Sequence, residues 1–171
     1  MKLSEGVEAA IHCAALLAGL APGKTLPAAA LADYHGVSAS YLVKHLNRLV
    51  AAGMLASVPG PHGGYRLGRP ATRISLLDIV LAVEGPEPAF RCGEIRQRGP
   101  GALEPEAYRK PCGINVAMLR AEQAWRGALR AARLADVIAG YEAEADPRAL
   151  AFGCAFLERH QRPGSPLSNP E

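Results

Sequence analysis

The chain has 171 residues, 19 Lys+Arg against 16 Asp+Glu, and a formal net charge of +3. That length suits one domain, or a small domain with an appendage, and buries a core without disulfide or metal staples. Hydrophobic residues make up 49%, charged residues 20% and aromatics 5%, which excludes a disordered chain and favours a helical protein over an aromatic-rich β-sandwich.

The start Met1-Lys2-Leu3-Ser4-Glu5-Gly6 carries acid, and Glu8 and His12 interrupt any apolar run. No secretory leader and no membrane span are therefore expected, and a cytoplasmic protein is. In a reducing compartment the four cysteines are read as packing, metal ligands or redox groups before structural disulfides.

Residues 5–20 read as a first helix, with Val7, Ala10, Ile11, Ala14, Ala15 and Leu17 on one face and Pro22-Gly23 as the stop. Pro27 suits the first turn of a short helix through Tyr34, and His35-Gly36-Val37 makes a tight turn. Ser38 is the N-cap of a third helix running to about Ala52, with Leu42, Leu46, Leu49 and Val50 inward and Gly53 as terminator. The period then changes. Met54–Val58 and Tyr65–Leu67 read as short strands around the turn Pro59-Gly60-Pro61-His62-Gly63-Gly64, and Leu77 to Val83 as a further short helix. The expected fold is mainly α with a small β-hairpin wing, a winged helix-turn-helix over 1–84.

Residues 85–113 hold five Gly and five Pro, with Cys92 and Cys112 near the two ends. A loop that long is functional or held by something. Residues 114–140 read as one long amphipathic helix, with Ile114, Met118, Ala121, Trp125, Leu129, Ala132 and Ala135 on one face. Such a helix often pairs with a second copy of itself, so a homodimer is expected. Residues 141–171 are a C-terminal extension, helical over 149–160, with a mobile tail from Arg162. There is no internal repeat.

Between Tyr34 and Leu77 stand Lys44, Arg48, Arg66, Arg69 and Arg73 and no Asp or Glu, so this stretch carries +5 and the remainder nets −2. Cations placed there can replace phosphate counterions, whereas an isolated charge run is usually a solvated face. Helix order, hairpin and charge agree, which points to double-stranded DNA. The candidate contacts are Ser38, Ser40, Tyr41, Lys44, His45 and Arg48 on the third helix, and His62, Gly63, Gly64 and Arg66 in the wing. The two glycines would let the wing backbone approach the duplex.

Leu31-Ala32, Val37-Ser38-Ala39-Ser40-Tyr41-Leu42, Leu49, Ala52-Gly53-Met54-Leu55, Gly60-Pro61-His62-Gly63-Gly64-Tyr65-Arg66-Leu67 and Ile74 to Glu84-Gly85 together resemble the Rrf-two type of bacterial transcription regulators, whose members include IscR, NsrR and RsrR. The resemblance spans roughly 1–138. It implies a homodimer joined by long helices, reading a two-fold-related operator, and in many members an iron–sulfur cluster in the loop before the long helix. Pro59 stands where several members have arginine before the wing Gly-Pro, so a minor-groove arginine contact does not carry over.

Cluster-binding relatives commonly offer three loop cysteines; this loop offers Cys92 and Cys112. A 2Fe–2S centre needs two ligands per iron, and imidazole can replace thiolate. Glu8 and His12, spaced i,i+4, leave one face of the first helix. Taken alone, such a pair is most often solvated surface. In the resembled family the first helix of one subunit approaches the partner's cluster loop, and the start of this chain is similar to the RsrR subgroup. The resemblance thus implies a redox-sensing 2Fe–2S cluster at each subunit contact, held by Cys92 and Cys112 of one chain and Glu8 and His12 of the other, controlling DNA affinity. The alternative is an iron-free regulator in which Cys92 and Cys112 form a thiol switch or a zinc site. Cys13 and Cys154, flanked by apolar residues, are expected as buried packing, and His35 as a turn residue. The chain shows no phosphate loop, nucleophile elbow or metal-hydrolase pair, so an enzyme is not expected.

Overall fold

The computed structural model describes residues 3–60 and 63–164. Its elements are mostly helical, with a small antiparallel hairpin. Helix α1 (Glu5–Ala18) places Val7, Ala10, Cys13, Ala14 and Leu17 on its buried face at helical spacing. Strand β1 (Lys24–Thr25) follows, then α2 (Ala28–His35), which ends on Gly36 with φ 64°, a left-handed residue that glycine adopts without a Cβ clash. Helix α3 (Ala39–Ala51) buries Leu42, Leu46 and Leu49, one residue per turn. These leucines, with Leu17, Leu26, Leu31, Ile74 and Ile79, are among the largest wholly buried side chains. Each contributes about 2 kcal/mol of burial.

Strands β2 (Leu55–Val58) and β3 (Gly64–Leu67) pair antiparallel with Leu55 opposite Leu67 and Val58 opposite Gly64. Helix α4 (Leu76–Glu84) starts on a capping box. The backbone N–H of Asp78 donates to Ser75 Oγ at 3.1 Å and that of Ser75 to Asp78 Oδ2 at 2.9 Å. Helices α1, α3 and α4 pack on one another, and α3 also packs on α2 and β2.

The expected single helix over 114–140 is two. Helix α5 (Gly113–Ala131) stops and α6 (Leu134–Glu144) begins after a break at Ala132 and Arg133. The cause is a long-range bridge. Leu76 N–H donates to the Ala132 carbonyl at 2.9 Å, and Leu134 N–H to the Ile74 carbonyl at 2.8 Å. Backbone pairing with the segment before α4 replaces helical bonds at that point, and local periodicity carries no trace of it.

Helix α7 (Pro147–His160) is N-capped by Asp146, which accepts from Arg148 N–H at 2.8 Å. Phe156 and Leu157 enter the core, and Tyr34 of α2 meets Phe156 edge-on at 4.9 Å. Cys154 is exposed rather than buried, because α7 turns the Phe156–Leu157 side inward. The segment expected to be a mobile tail begins as a strand: β4 (Arg162–Pro163) pairs with β1, Thr25 opposite Arg162, and Gly164 N–H donates to the Gly23 carbonyl at 2.9 Å. The rest of that tail, 165–171, lies outside the described residues. No helix of the described residues is long and apolar enough to cross a membrane.

Candidate functional site

Packing of the apolar stripe of α3 leaves Ser38, Ser40, Tyr41, Lys44 and Asn47 exposed along its outer edge. Ser38 occupies the N-cap position but makes no capping bond; its hydroxyl lies 2.9 Å from that of Ser40. The first N–H groups of α3 therefore keep their hydrogen-bonding capacity, with no acid in the first turn to compete for them. Tyr41 is 40% exposed, and Lys44 follows on the same face. Asn47, one turn beyond Lys44, was not among the expected contacts. Its spacing of three residues from Lys44 is the signal that identifies it. Tyr65 of the wing donates to Asn47 Oδ1 at 3.1 Å.

Several expected contacts are placed otherwise. His45 is only 6% exposed and lies beneath the outer edge, with its ring against Gly6 of α1. The start of α1 covers it, so it does not lie on the exposed edge as its spacing on α3 implied. The Arg48 guanidinium donates to the Val83 carbonyl at the end of α4, while the residue stays exposed. Arg69 pairs with Asp78 at 3.3 Å. His62 lies outside the described residues. Gly63 and Gly64 are required by packing inside the protein. A Cβ on Gly63 would fall 1.9 Å from the Val58 carbonyl oxygen, and one on Gly64 2.5 Å from that of Leu26. The glycines let the wing close on itself and on the chain after β1. Arg66 is half-buried in β3, opposite Ala56.

The loop over 85–112 is held at its start and in its middle. At its start, buried Glu122 of α5 accepts from Ala89 N–H at 2.9 Å and from Arg126 Nε at 2.9 Å. Arg126 in turn donates to the carbonyls of Pro86 at 2.9 Å and Glu87 at 3.0 Å. In the middle, Tyr108 donates to the Arg96 carbonyl and accepts from Leu103 N–H, both at 2.8 Å. Glu94 adopts φ 46°, a left-handed conformation uncommon outside glycine, and its carboxylate holds Arg96 at 2.8 Å.

Cys112 is the N-cap residue of α5. The backbone N–H groups of Asn115 and Ile114, and then the Arg96 guanidinium, hold its thiol below the ordinary cysteine value, against opposing effects of desolvation and Glu94. Arg96 is within Coulombic reach of both Cys112 and Cys92. This setting favours thiolate at Cys112. Cys13, by contrast, is wholly buried in α1 and pushed up to about 12 by desolvation.

Glu8 and His12 are exposed on α1 and line a shallow groove with Leu3, Ser4, Glu5, Val7 and Ile11. The His12 ring lies 5.7 Å from that of His35, whose value is lowered by burial and then by His12. One chain does not bring the four expected ligands together: among the described residues no group of three or more His, Cys, Asp or Glu is placed to hold a metal ion. The loop carries Cys92 and Cys112, and α1 carries Glu8 and His12 one turn apart on its exposed side. The donor set of two thiols, one carboxylate and one imidazole fits a 2Fe–2S centre chemically only where a second chain supplies the complementary half.

Residues 3–140 match the model of the Rrf2 family, described as iron-dependent transcriptional regulators. A Lactococcus lactis protein named as an HTH-type transcriptional regulator, YffB, is 37% identical over 118 residues, covering 69% of this chain and 74% of that protein. Among solved structures, CymR, the global cysteine regulator of B. subtilis, superposes with TM-score 0.59 at 24% identity, over 81% of this chain and 97% of that one. T. potens IscR superposes with TM-score 0.62 at 20% identity, over 88% and 96%. These two likenesses establish the winged-helix fold. The family match, the identity to YffB and the fold together place this chain in the Rrf2 family of transcriptional regulators.

Proposed function

We propose that the chain is a homodimeric operator-binding regulator whose DNA affinity is controlled by a 2Fe–2S cluster shared between subunits. The DNA-binding edge is formed by Ser38, Ser40, Tyr41, Lys44 and Asn47 of α3, with Arg66 and the wing held beside it by Tyr65. Short polar side chains and one lysine at the start of a helix suit base edges and phosphates in a major groove. The exposed apolar residues Ile114 and Met118, spaced i,i+4 on α5, provide a face for the second copy.

The observation that carries the sensing function is Cys112 at the N-cap of α5, beside a cation that Cys92 also feels. Such a thiol is disposed to act as thiolate, the form that binds metal. In this reading Cys92 and Cys112 of one chain and Glu8 and His12 of its partner hold the cluster, which when bound supplies a one-electron redox couple. The other steps belong to the chain. Glu122 and Arg126 fix the loop to α5, and α1 carries Glu8 and His12 on the helix that also packs on α3. A shift of α1 thereby reaches the DNA-binding edge, and half-site geometry converts it into affinity.

Two measurements test this. Selection from a random duplex library should yield a preferred, two-fold-related sequence; a chain that selects none is not an operator-binding regulator. Visible absorption of anaerobically purified protein should show iron–sulfur bands that His12→Ala alters and Cys13→Ala leaves unchanged. A colourless, iron-free preparation would favour the thiol-switch alternative, and bound zinc without colour the zinc site.

A further inference from the structure

Helices α1 and α3 meet at one side chain, the buried imidazole of His45, and Glu84 at the end of α4 acts on it electrostatically. A Cβ on Gly6 of α1 would fall 2.4 Å from His45 Cε1, so only glycine permits this approach. On its other side the ring meets Tyr41 edge-on, with centroids 4.7 Å apart. Neither ring nitrogen finds a hydrogen-bond partner among the described residues, although buried polar atoms ordinarily have one. An apolar side chain would fill the place without that cost. The surroundings tie three elements together: Glu84 at the end of α4 accepts from the backbone N–H of Ser4 at 2.9 Å and from its hydroxyl, and Arg48 donates to Val83.

We propose that His45 is a positioning residue through which the first turn of α1 sets the placement of Tyr41 on the DNA-binding edge. This rests on the DNA-binding reading above and adds to it a route from α1 to the duplex. Gly6 lies on the same helical turn as Glu8, so a force on Glu8 acts on the backbone that touches the ring. Close-packed interiors pass such displacements on rather than absorb them. Protonation offers an independent handle on the same contact. The charged groups acting on the ring are Arg48 and Lys44 from α3 and Glu84 from α4, while Gly6 of α1 touches it without charge. An imidazolium would meet two cations and one carboxylate at a ring only 6% exposed, so acidification should loosen the contact.

The test uses the duplex recovered by library selection and an unrelated duplex, and reads the ratio of the two affinities in the full-length protein. Gly6→Ala forces the ring away and His45→Ala removes it, so each should lower that ratio about tenfold or more, and because both break one route the double variant should lose no more than the larger single loss. A native-like ratio for either single variant, or losses that add in the double variant, would overturn the proposal. A second arm does not depend on Gly6→Ala folding. From about pH 7.5 to about pH 5.5 the native ratio should fall several-fold more than that of His45→Leu; parallel profiles would overturn it. A native chain that prefers no duplex would instead sink the DNA-binding reading, and this proposal with it.

Discussion

Tyr65 in the wing donates its hydroxyl hydrogen to Asn47 Oδ1 on α3 at 3.1 Å, which joins the wing to α3. The same Tyr65 pairs through its backbone with Leu26, exchanging bonds of 2.9 Å in each direction. Tyr65→Phe keeps the ring and the backbone bonds and removes only the link to Asn47. The bond is exposed, so stability should drop by about 0.5–1 kcal/mol. Affinity for the selected duplex should fall a few-fold, as the wing loses its fixed offset from α3. Denaturant melts and duplex titration read both effects; native-like affinity would show that the wing needs no such tie.

Glu122 and Arg126 fasten the start of the 85–112 loop to α5. Glu122→Ala leaves the Ala89 N–H without its acceptor and Arg126 without its carboxylate. Breaking a largely buried, hydrogen-bonded pair from one side should cost about 2–3 kcal/mol. If Cys92 depends on this anchorage, iron content of the anaerobically purified variant should fall as well. Full iron with unchanged stability would contradict the assigned role.

His35 and His45 both have values lowered from the ordinary 6.5, in each case first by burial. In the folded chain they are neutral where the unfolded chain already binds protons. Their contribution to stability is therefore complete above about pH 6.5 and declines as the pH falls below it. Urea midpoints measured across that range should drop on acidification, and His45→Leu should flatten part of the slope. A midpoint constant through that window would contradict the burial of both rings.

The β4 segment pairs with β1 and covers Thr25, which is wholly buried. Truncation after His160 removes this strand and leaves α7 in place. The melting temperature should fall by about 2–4 °C, and Thr25 and Arg66 should become more exposed to hydrogen exchange. An unchanged melt and exchange pattern would mean that β4 does not brace the wing.

The order of elements was legible because local chemistry marks it. Three- and four-residue spacing in α1 and α3, Gly36 after α2, and the glycine-rich turn of the wing each follow from short-range rules. What could not be read depends on partners distant in sequence. His45 belongs to the polar face of α3 by spacing, and only the arrival of Gly6 buries it. Arg48 reads as a free cation until Val83 accepts its hydrogen. The break at Ala132–Arg133 arises from backbone pairing with Ile74 and Leu76, more than fifty residues away. At the proposed cluster site Cys92, Cys112, Glu8 and His12 stand out by residue type, but the Arg96 that acts on Cys112 does not. A charge of +3 is likewise a sum that conceals arrangement: Lys44 faces outward, whereas Arg48 and Arg69 are engaged within the fold.

The most direct test is the affinity of the anaerobically purified protein for its selected duplex, measured at fixed salt before and after iron is removed by a chelator. Control by the cluster requires the two affinities to differ by about tenfold or more, and the difference to vanish in Cys112→Ala. Equal affinities for the loaded and iron-free native protein would contradict it.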